Sequence, residues 1–597
     1  MPKRKKSNRT KIKDVSEFAG LSNLTGFGKD EGSSLEDCMV EMMFQGQKKA
    51  RPNDSDPVAN ATPLNTTQTS SKNDLKQVGR GKTRKPSWLQ QSNKRQTSSR
   101  TMMNTEDIEN WNLNFQTWAK GGIYTPGLLP NIDQEITRNF KVKELSSILL
   151  KNELVAGKDL RMPVFERWLL DSKNEEDLGG DSVLPLQSSS DSEASQRLLS
   201  ELISKQNGVD RADAEKIIAK LCRTTNVMCQ ELLSQEDRYR RQSPLKNGDR
   251  LTMSLKSKST DSVVSIEYSR KRWKKPFCFR LNYRHYKKLK DRFINIHPNL
   301  SFGGSETKKS KMETKLERSF HVLVLALLLR YSALSGGGLL DDLRGGGMQG
   351  SIHSSVFEVL QSHFSDARNS VSDTTRNEHQ FWFEGFASPF NANLPRFASA
   401  FPDLDWHFGS VGRFLDCTFD GESEMDGNGS GEYCEANPPF SPGIMFSMAN
   451  HMLKALERAD KKGSRLTFVV VVPSIDGASK KNSKASKSSD QNNDTIAVAK
   501  HAAEKSFRRM ISSVYCKKHI QLYAREHGYV EGAQHLRPTQ YKQSSYDTSV
   551  IILQSRPDSS GMNEPDLKTL EKNLRLAFSS RHTIELMERK RKANSTL

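Results

Sequence analysis

Apolar positions are sparse and unperiodic from residue 1 to about 105, where Lys, Arg, Ser, Asn and Thr dominate. Low hydrophobicity with high charge cannot offset the entropy of ordering, so this stretch reads as a disordered basic tail. Helical spacing begins at Trp111, Phe115 and Trp118 and returns over 142–156, 162–172, 194–206 and 211–234. The acidic, Ser-rich stretch 174–193 reads as a loop. Residues 251–257 and 262–269 alternate as short strands do, and a long helix over about 312–334 ends at Gly336-Gly337-Gly338. From about 346 the pattern becomes α/β. Phe381 to Phe386 reads as a strand running into a loop, and Thr467 to Val472 is a continuous β-branched run typical of a parallel strand buried on both faces. A crossover helix over 443–459 precedes that run, and Asp547 to Gln554 reads as another strand of the same kind. Alternating strands and helices imply a doubly wound sheet with ligands at the carboxyl ends of its strands.

The pattern divides the chain into a disordered tail (1–105), a mainly helical domain (106–345), an α/β domain (346–560) and a charged C-terminal helical segment (561–597). A Lys-, Ser- and Asn-rich insertion, 474–498, interrupts the third and reads as disordered.

Charge changes the picture next. The 597 residues carry a formal net charge of +20, for which a polyanion, most simply nucleic acid, is the natural partner. Lys271-Arg272-Trp273-Lys274-Lys275 runs into Phe277, Phe279, Arg280, Tyr283 and Arg284, interleaving cations for phosphates with rings for bases. An amphipathic element with a wet basic face is the competing reading. Lys3-Arg4-Lys5-Lys6 reads as a nuclear localisation signal or a phosphate-binding tail, with the nucleus the expected compartment and the cytoplasm second. The seven cysteines are scattered without a Cys-x-x-Cys pair, which supports neither a disulfide framework nor a metal site. No apolar run approaches the ~20 residues that span a bilayer, so no membrane association is expected.

The candidate chemistry lies at Asn437-Pro438-Pro439-Phe440. This tetrapeptide fits the pattern [Asp/Asn/Ser]-Pro-Pro-[Phe/Tyr/Trp] found where a planar amino group is methylated. The lone pair of such an amine is delocalised into its ring. Two acceptors aimed at its N–H groups, the Asn437 side-chain oxygen and the Pro438 carbonyl, would draw the pair back onto nitrogen. The prolines stiffen the turn, and Phe440 would stack on the base. No strong base is needed, so His501 and His535 are not read as general bases. Trp382 and Phe383 read as core, while Trp406 and Phe408 read equally as core or pocket border. Cys417 and Cys434 read as small hydrophobes.

The flanks of the tetrapeptide resemble those of one family, the phosphorylated-CTD-interacting factor, a cap-specific adenosine N6-methyltransferase. The matching pieces are Gln349-Gly350-Ser351 before a helix with Val356, Phe357 and Leu360; Phe386-Ala387-Ser388-Pro389 with Asn391; Ala400-Phe401-Pro402-Asp403; Phe408-Gly409-Ser410; Leu415-Asp416; Glu435-Ala436-Asn437-Pro438-Pro439-Phe440; and, beyond these, Gly532-Ala533-Gln534-His535 and Tyr541-Lys542. The resemblance covers about 346–556 and extends more faintly back to about 132. It implies a Rossmann-like class I methyltransferase core using S-adenosyl-L-methionine. It implies that Gln349, Gly350 and Ser351 hold the cofactor's amino-acid end. Glu384, Phe386, Ala387, Ser388, Pro389 and Asn391 would wrap the cofactor, and Glu435 would line its site. Asp403, Asp405 or Asp416 would bind its ribose. The implied substrate is capped mRNA beginning with (2′-O-methyl)adenosine, with Lys274, Lys275, Arg280, Arg284, His535 and Lys542 as candidate RNA contacts.

Animal members of that family carry an N-terminal WW module that binds the phosphorylated polymerase tail. Trp88 and Trp111 have suitable spacing, but no aromatic pair lies between them and no proline follows closely. The expectation is therefore that the module is lacking, which puts binding of the polymerase tail in doubt. Two other functions stay open at this point: amino-methyl transfer to internal RNA adenine, DNA adenine or a protein glutamine, and an RNA-binding scaffold without turnover.

Overall fold

A computed structural model describes residues 63–64, 129–150, 164–175, 180–186, 188–203, 209–256, 263–271, 273, 276–297, 311–335, 350–366, 382–419, 432–474, 505–530, 541–544, 546–555 and 564–585. The chain divides into two units, 1–57 with 272–274 and 58–271 with 275–597; the description below concerns the second. Most of the basic tail, the body of the 474–498 insertion, and Gln349, Lys274, Lys275, His501 and His535 lie outside the described residues.

The N-terminal half begins with β1 (Pro63–Leu64) and then four helices: α1 (Ile132–Leu150), α2 (Val164–Glu175), α3 (Glu193–Leu202) and α4 (Arg211–Arg241). Strands β2 (Arg250–Lys256), β3 (Val263–Ser269) and β4 (Phe277–Asn282) follow, then α5 (Tyr283–Ile296) and α6 (Lys311–Leu334). The four strands form an antiparallel sheet in the order β1-β2-β3-β4: β2 and β3 are the strands read at 251–257 and 262–269, β4 was not read, and β1 corrects the reading of the whole 1–105 stretch as disordered, since Pro63 and Leu64 pair with Ser254 and Met253. Asp210 caps α4 by accepting from the Ala212 amide, and Asn282 caps α5 through the Arg284 amide. The apolar run from Val322 to Leu329 is buried within α6. Among the described residues no helix is long and apolar enough to cross a membrane.

The second half holds α7 (Ser354–Asp366), β5 (Trp382–Glu384), β6 (Glu432–Ala436), α8 (Pro442–Lys462), β7 (Leu466–Pro473), β8 (Cys516–Leu522), β9 (Gly528–Val530), β10 (Tyr541–Gln543), β11 (Thr548–Gln554) and α9 (Glu564–Phe578). Its main sheet runs β5-β6-β7-β11-β8, and β9 pairs with β10 in a separate ribbon. Strands β5, β6 and β7 are parallel, whereas β11 is antiparallel to both β7 and β8. The expectation that Asp547–Gln554 forms another strand of the same parallel kind is thus corrected. The run is fully buried, as read, but a continuous apolar stretch reports burial on two faces and carries no information on direction.

The pleat sorts the core. Phe468, Val470 and Val472 face a cluster with Met445, Met448, Met452 and Leu456 of α8, while Val469 and Val471 face Val356, Leu360, Leu570 and Leu574 of α7 and α9. Each face of the sheet is covered by helices, giving a mixed α/β architecture. Helix α8 follows from its sequence: apolar residues recur every three to four positions, Pro442 opens it, Lys461 and Lys462 occupy its last turn, and Gly463 ends it at φ 69°. Trp382, Phe383 and Phe408 are core residues, and Cys417 and Cys434 are buried among apolar neighbours.

Candidate active site

The carboxyl ends of β5 and β6 lie side by side, with Glu384 registered opposite Glu435. The chain leaving β5 loops round and returns beside it in the parallel direction: the Ala398 amide donates to the Glu384 carbonyl (2.8 Å), and the Ala387 amide to the Ala398 carbonyl (2.9 Å). Gly385 is required at the start of this turn. Its amide meets the Glu435 carbonyl at 2.7 Å, and a Cβ there would come within 2.9 Å of the Phe414 ring and 3.0 Å of that carbonyl. Asn391 closes the turn through its Oδ1, which accepts from the Ser388 amide (2.6 Å) and hydroxyl (2.9 Å). Phe386 and Ala387 are half-buried, and Pro389 is buried beside them.

Glu384 is buried, and its Oε2 accepts from the amides of Asn393 (2.7 Å) and Leu394 (3.0 Å). Burial raises its pKa against the opposing pull of those amides, Lys288 and Arg292. Glu435 is also buried, and among the described residues its Oε1 has no hydrogen-bond partner. Burial, reinforced by Glu384, pushes its pKa well above the usual carboxylate range. Two adjacent buried carboxyls form a site that a cation would stabilise.

Asn437 sits directly beyond β6. Its Nδ2 donates to the Gly350 carbonyl at 3.1 Å, which fixes the amide's orientation. Its Oδ1 is buried without a partner among the described residues, so an acceptor is held ready for an outside donor. Gly350 is itself fixed by its neighbour Ser351, which exchanges two backbone hydrogen bonds with Val530 (3.1 and 2.8 Å). Pro438 is buried, and the Pro439 carbonyl accepts from the Ser441 amide at 2.7 Å. Phe440 is half-buried and meets Tyr529 and Tyr546 edge-on, with ring centroids 6.1 and 5.9 Å away. Tyr529 and Tyr546 stack on each other at 6.2 Å.

The structure therefore brings together Gly350, Ser351, Glu384, the 386–391 turn, Glu435 and Asn437–Phe440. The three ribose candidates are placed differently. Asp403 is exposed and pairs with Arg330 at 3.0 Å. Asp416 is held by two bonds from Arg413, at 2.7 and 2.8 Å. Asp405 is fully buried and accepts from the Tyr331 hydroxyl (2.6 Å), with burial pushing its pKa up to about 7.

Of the basic candidates, Arg280, Arg284 and Lys542 are exposed. The same basic segment also has an internal use: Lys288 donates to the Phe390 carbonyl (3.1 Å), and Arg292 to those of Ala392 (2.7 Å) and Leu394 (2.9 Å). Helix α5 thereby clamps the turn after β5. Sequence reading missed these two, together with Asn393, Tyr529 and Tyr546, because none stands at a diagnostic spacing from the tetrapeptide. Among the described residues no group of His, Cys, Asp and Glu is arranged to hold a metal ion.

Residues 302–505 match the family model described as "Phosphorylated CTD interacting factor 1 WW domain". The curated relatives include the mRNA (2′-O-methyladenosine-N(6)-)-methyltransferases of Mus musculus, 31% identical over 236 residues, and Homo sapiens, 30% identical over the same length. The aligned stretch is 39% of this chain and 26% of each relative. The family match overturns the expectation that the WW portion is lacking, and with it the doubt about the polymerase tail. That expectation rested on Trp88 and Trp111, which lie outside the matched segment.

Proposed function

We propose that this protein transfers a methyl group from S-adenosyl-L-methionine to the N6 amine of adenosine in RNA, at the cap-adjacent (2′-O-methyl)adenosine of capped mRNA, through a Rossmann-like class I core. One observation carries the reading: a buried acceptor oxygen on Asn437 without a partner among the described residues, its amide locked by Gly350, with half-buried Phe440 three residues on, at the carboxyl end of a parallel strand. The printed names of the mouse and human relatives support the substrate.

The residues present fit the cofactor. Glu384 and Glu435 suit a positively charged ligand, the tight backbone approach at Gly385 suits a turn wrapped round it, and Gly350–Ser351 lie just ahead of the N-terminus of α7. Asp416 and Asp403 are engaged by arginines, so a ribose contact from either would be made while holding, or after releasing, that partner. S-adenosyl-L-methionine, when bound, supplies an electrophilic sulfonium methyl group. Asn437 Oδ1 accepts one N–H of the adenine amine, and the Pro438 carbonyl accepts the other. Both partners favour the amine with its lone pair on nitrogen and stabilise the cation that forms as it is methylated. Phe440, braced by Tyr529 and Tyr546, holds the base plane. The proton is then lost to solvent, and no side chain need act as base.

The partners follow as part of the same proposal: capped RNA along Arg280, Arg284 and Lys542, the phosphorylated polymerase tail in keeping with the description of the matched model, and a nuclear location. The test is transfer of labelled methyl to a short RNA beginning with 2′-O-methyladenosine, with and without a 7-methylguanosine cap. Cap-dependent N6-methylation is expected, and Asn437→Ala should lower it by at least about a hundredfold while leaving RNA binding in place. Equal transfer to uncapped RNA would move the target to internal adenine. Full activity in Asn437→Ala would sink the assignment of the site.

A further inference from the structure

Helix α8 begins two residues after Phe440, yet its own cap residue does not cap it. Ser441 occupies the cap position in an extended conformation with no side-chain bond to its helix. Its hydroxyl instead donates to Asp171 Oδ1, supplied by α2 from 270 positions away. The same oxygen lies 3.3 Å from the Ile444 amide in the first turn of α8. Gly443 is what lets the carboxylate in: a Cβ there would sit 2.5 Å from Asp171 Oδ1 and 2.8 Å from Arg197 Nη2. Asp171 is only 2% exposed. Its other oxygen takes Arg197 Nε at 3.0 Å, and Arg197 is anchored in turn by Glu175 (2.7 Å) and Glu193 (3.0 Å). A second contact lies one turn further on, from Asn174 Nδ2 to the Ser447 hydroxyl at 2.9 Å.

We propose that Asp171 is a positioning residue for the tetrapeptide turn: it caps α8 from the helical segment and so fixes the direction in which Asn437 and Phe440 face the base. The physical basis is simple. The first amides of a helix lack internal partners, and a carboxylate satisfies them and favours the positive end of the helix dipole. Only Ser441 separates this cap from Phe440, and the Ser441 amide is bonded to the Pro439 carbonyl, so motion at the cap is passed directly to the turn. The helical segment is thus part of the scaffold of the site as well as a wall for the substrate. This rests on the methyl-transfer reading above.

The experiment uses the full chain, with Asp171→Ala, Asp171→Asn, Gly443→Ala and the Asp171→Ala/Gly443→Ala double variant. Four quantities are read: kcat and KM on capped RNA, the Kd for S-adenosyl-L-methionine by calorimetry, the thermal midpoint, and hydrogen exchange at the amides of 443–446. Asp171→Ala should lower kcat by about 10- to 100-fold, as small misplacements of reacting groups do, with the cofactor Kd changed less than about twofold. Exchange at 443 and 444 should quicken. Asp171→Asn keeps an acceptor for Ser441 and should recover most of kcat. Gly443→Ala should be harmful alone and less so once Asp171 is already Ala, the non-additivity of groups in contact. Unchanged kcat and exchange in Asp171→Ala would overturn the proposal, as would kcat and cofactor binding falling together in proportion to folded protein. If the wild-type chain transfers no methyl at all, the functional reading fails, while the exchange data still decide whether Asp171 caps α8.

Discussion

Glu435 shows at the scale of one residue what a prepared site costs. Its carboxyl is buried opposite that of Glu384 with one oxygen lacking a partner among the described residues, and its pKa stands well above that of an exposed glutamate. A folded-state pKa raised above the unfolded value means that the group favours folding while protonated. That contribution is complete below the ordinary glutamate range and is lost as pH rises through the raised value. Glu435→Gln, which cannot ionise, should therefore raise the thermal midpoint of the ligand-free protein, more at pH 8 than at pH 5. The same change should weaken binding of the proposed cationic methyl donor, S-adenosyl-L-methionine, by calorimetry, an exchange of function for stability. A midpoint that drops equally at both pH values would show that the carboxylate is satisfied in the folded chain. Residue identity made part of this legible. Asn437, Pro438, Pro439 and Phe440 are consecutive, so four letters carry the chemistry proposed for them. Asn393, Tyr529 and Tyr546 reach the site only because the chain returns there, and no local spacing announces it.

At the scale of elements, periodicity was a good guide to existence and burial and a poor one to pairing. The reading of 211–234 as helix corresponds to α4, which runs on to Arg241, and the crossover helix read over 443–459 is the body of α8. The direction of β11 was not legible, since it depends on which neighbours the strand meets. Helix α5 was divided in a way that composition could not reveal. Its Arg284 is exposed, whereas Lys288 and Arg292 hold carbonyls of the turn after β5. Arg292→Ala should leave the Ala392 and Leu394 carbonyls short of a donor and cost about 1–3 kcal/mol in chemical denaturation, with cofactor binding weakened alongside. Arg284→Ala should be nearly neutral in stability, and equal effects of the two would contradict this division of roles.

At the scale of the molecule, a buried ion network binds the helical segment to the site loops. Arg138 is forked onto Asp181 (2.7 and 2.6 Å) and pairs with Glu135 (2.7 Å). Arg330 joins Glu135 (2.5 Å) to Asp403 (3.0 Å), and its neighbour Tyr331 bonds Asp405. Burial alone would raise the pKa of Asp181, but Arg138 outweighs it and holds the carboxyl far below the usual range. Stability from Asp181 is therefore present above the ordinary aspartate value and is lost only as pH falls through its lowered one. Removing one member strands charges in the interior, so Arg138→Met should cost about 3–5 kcal/mol by denaturant titration and shift acid unfolding to higher pH. An unchanged acid transition would show that the network contributes nothing to folding.

The sequence by itself indicated the longer helices, the strands β2, β3, β5, β7 and β11, the two-faced burial of β7 and the presence of the tetrapeptide, because each depends on residues close together along the chain. Only the tertiary structure decided the rest. It set β11 against its neighbours, turned half of a basic segment inward, paired Glu384 with Glu435, and placed Asp171 on a helix 270 positions away. These depend on which surfaces meet when the layers pack, and a linear pattern records what a residue prefers to bury without recording against what.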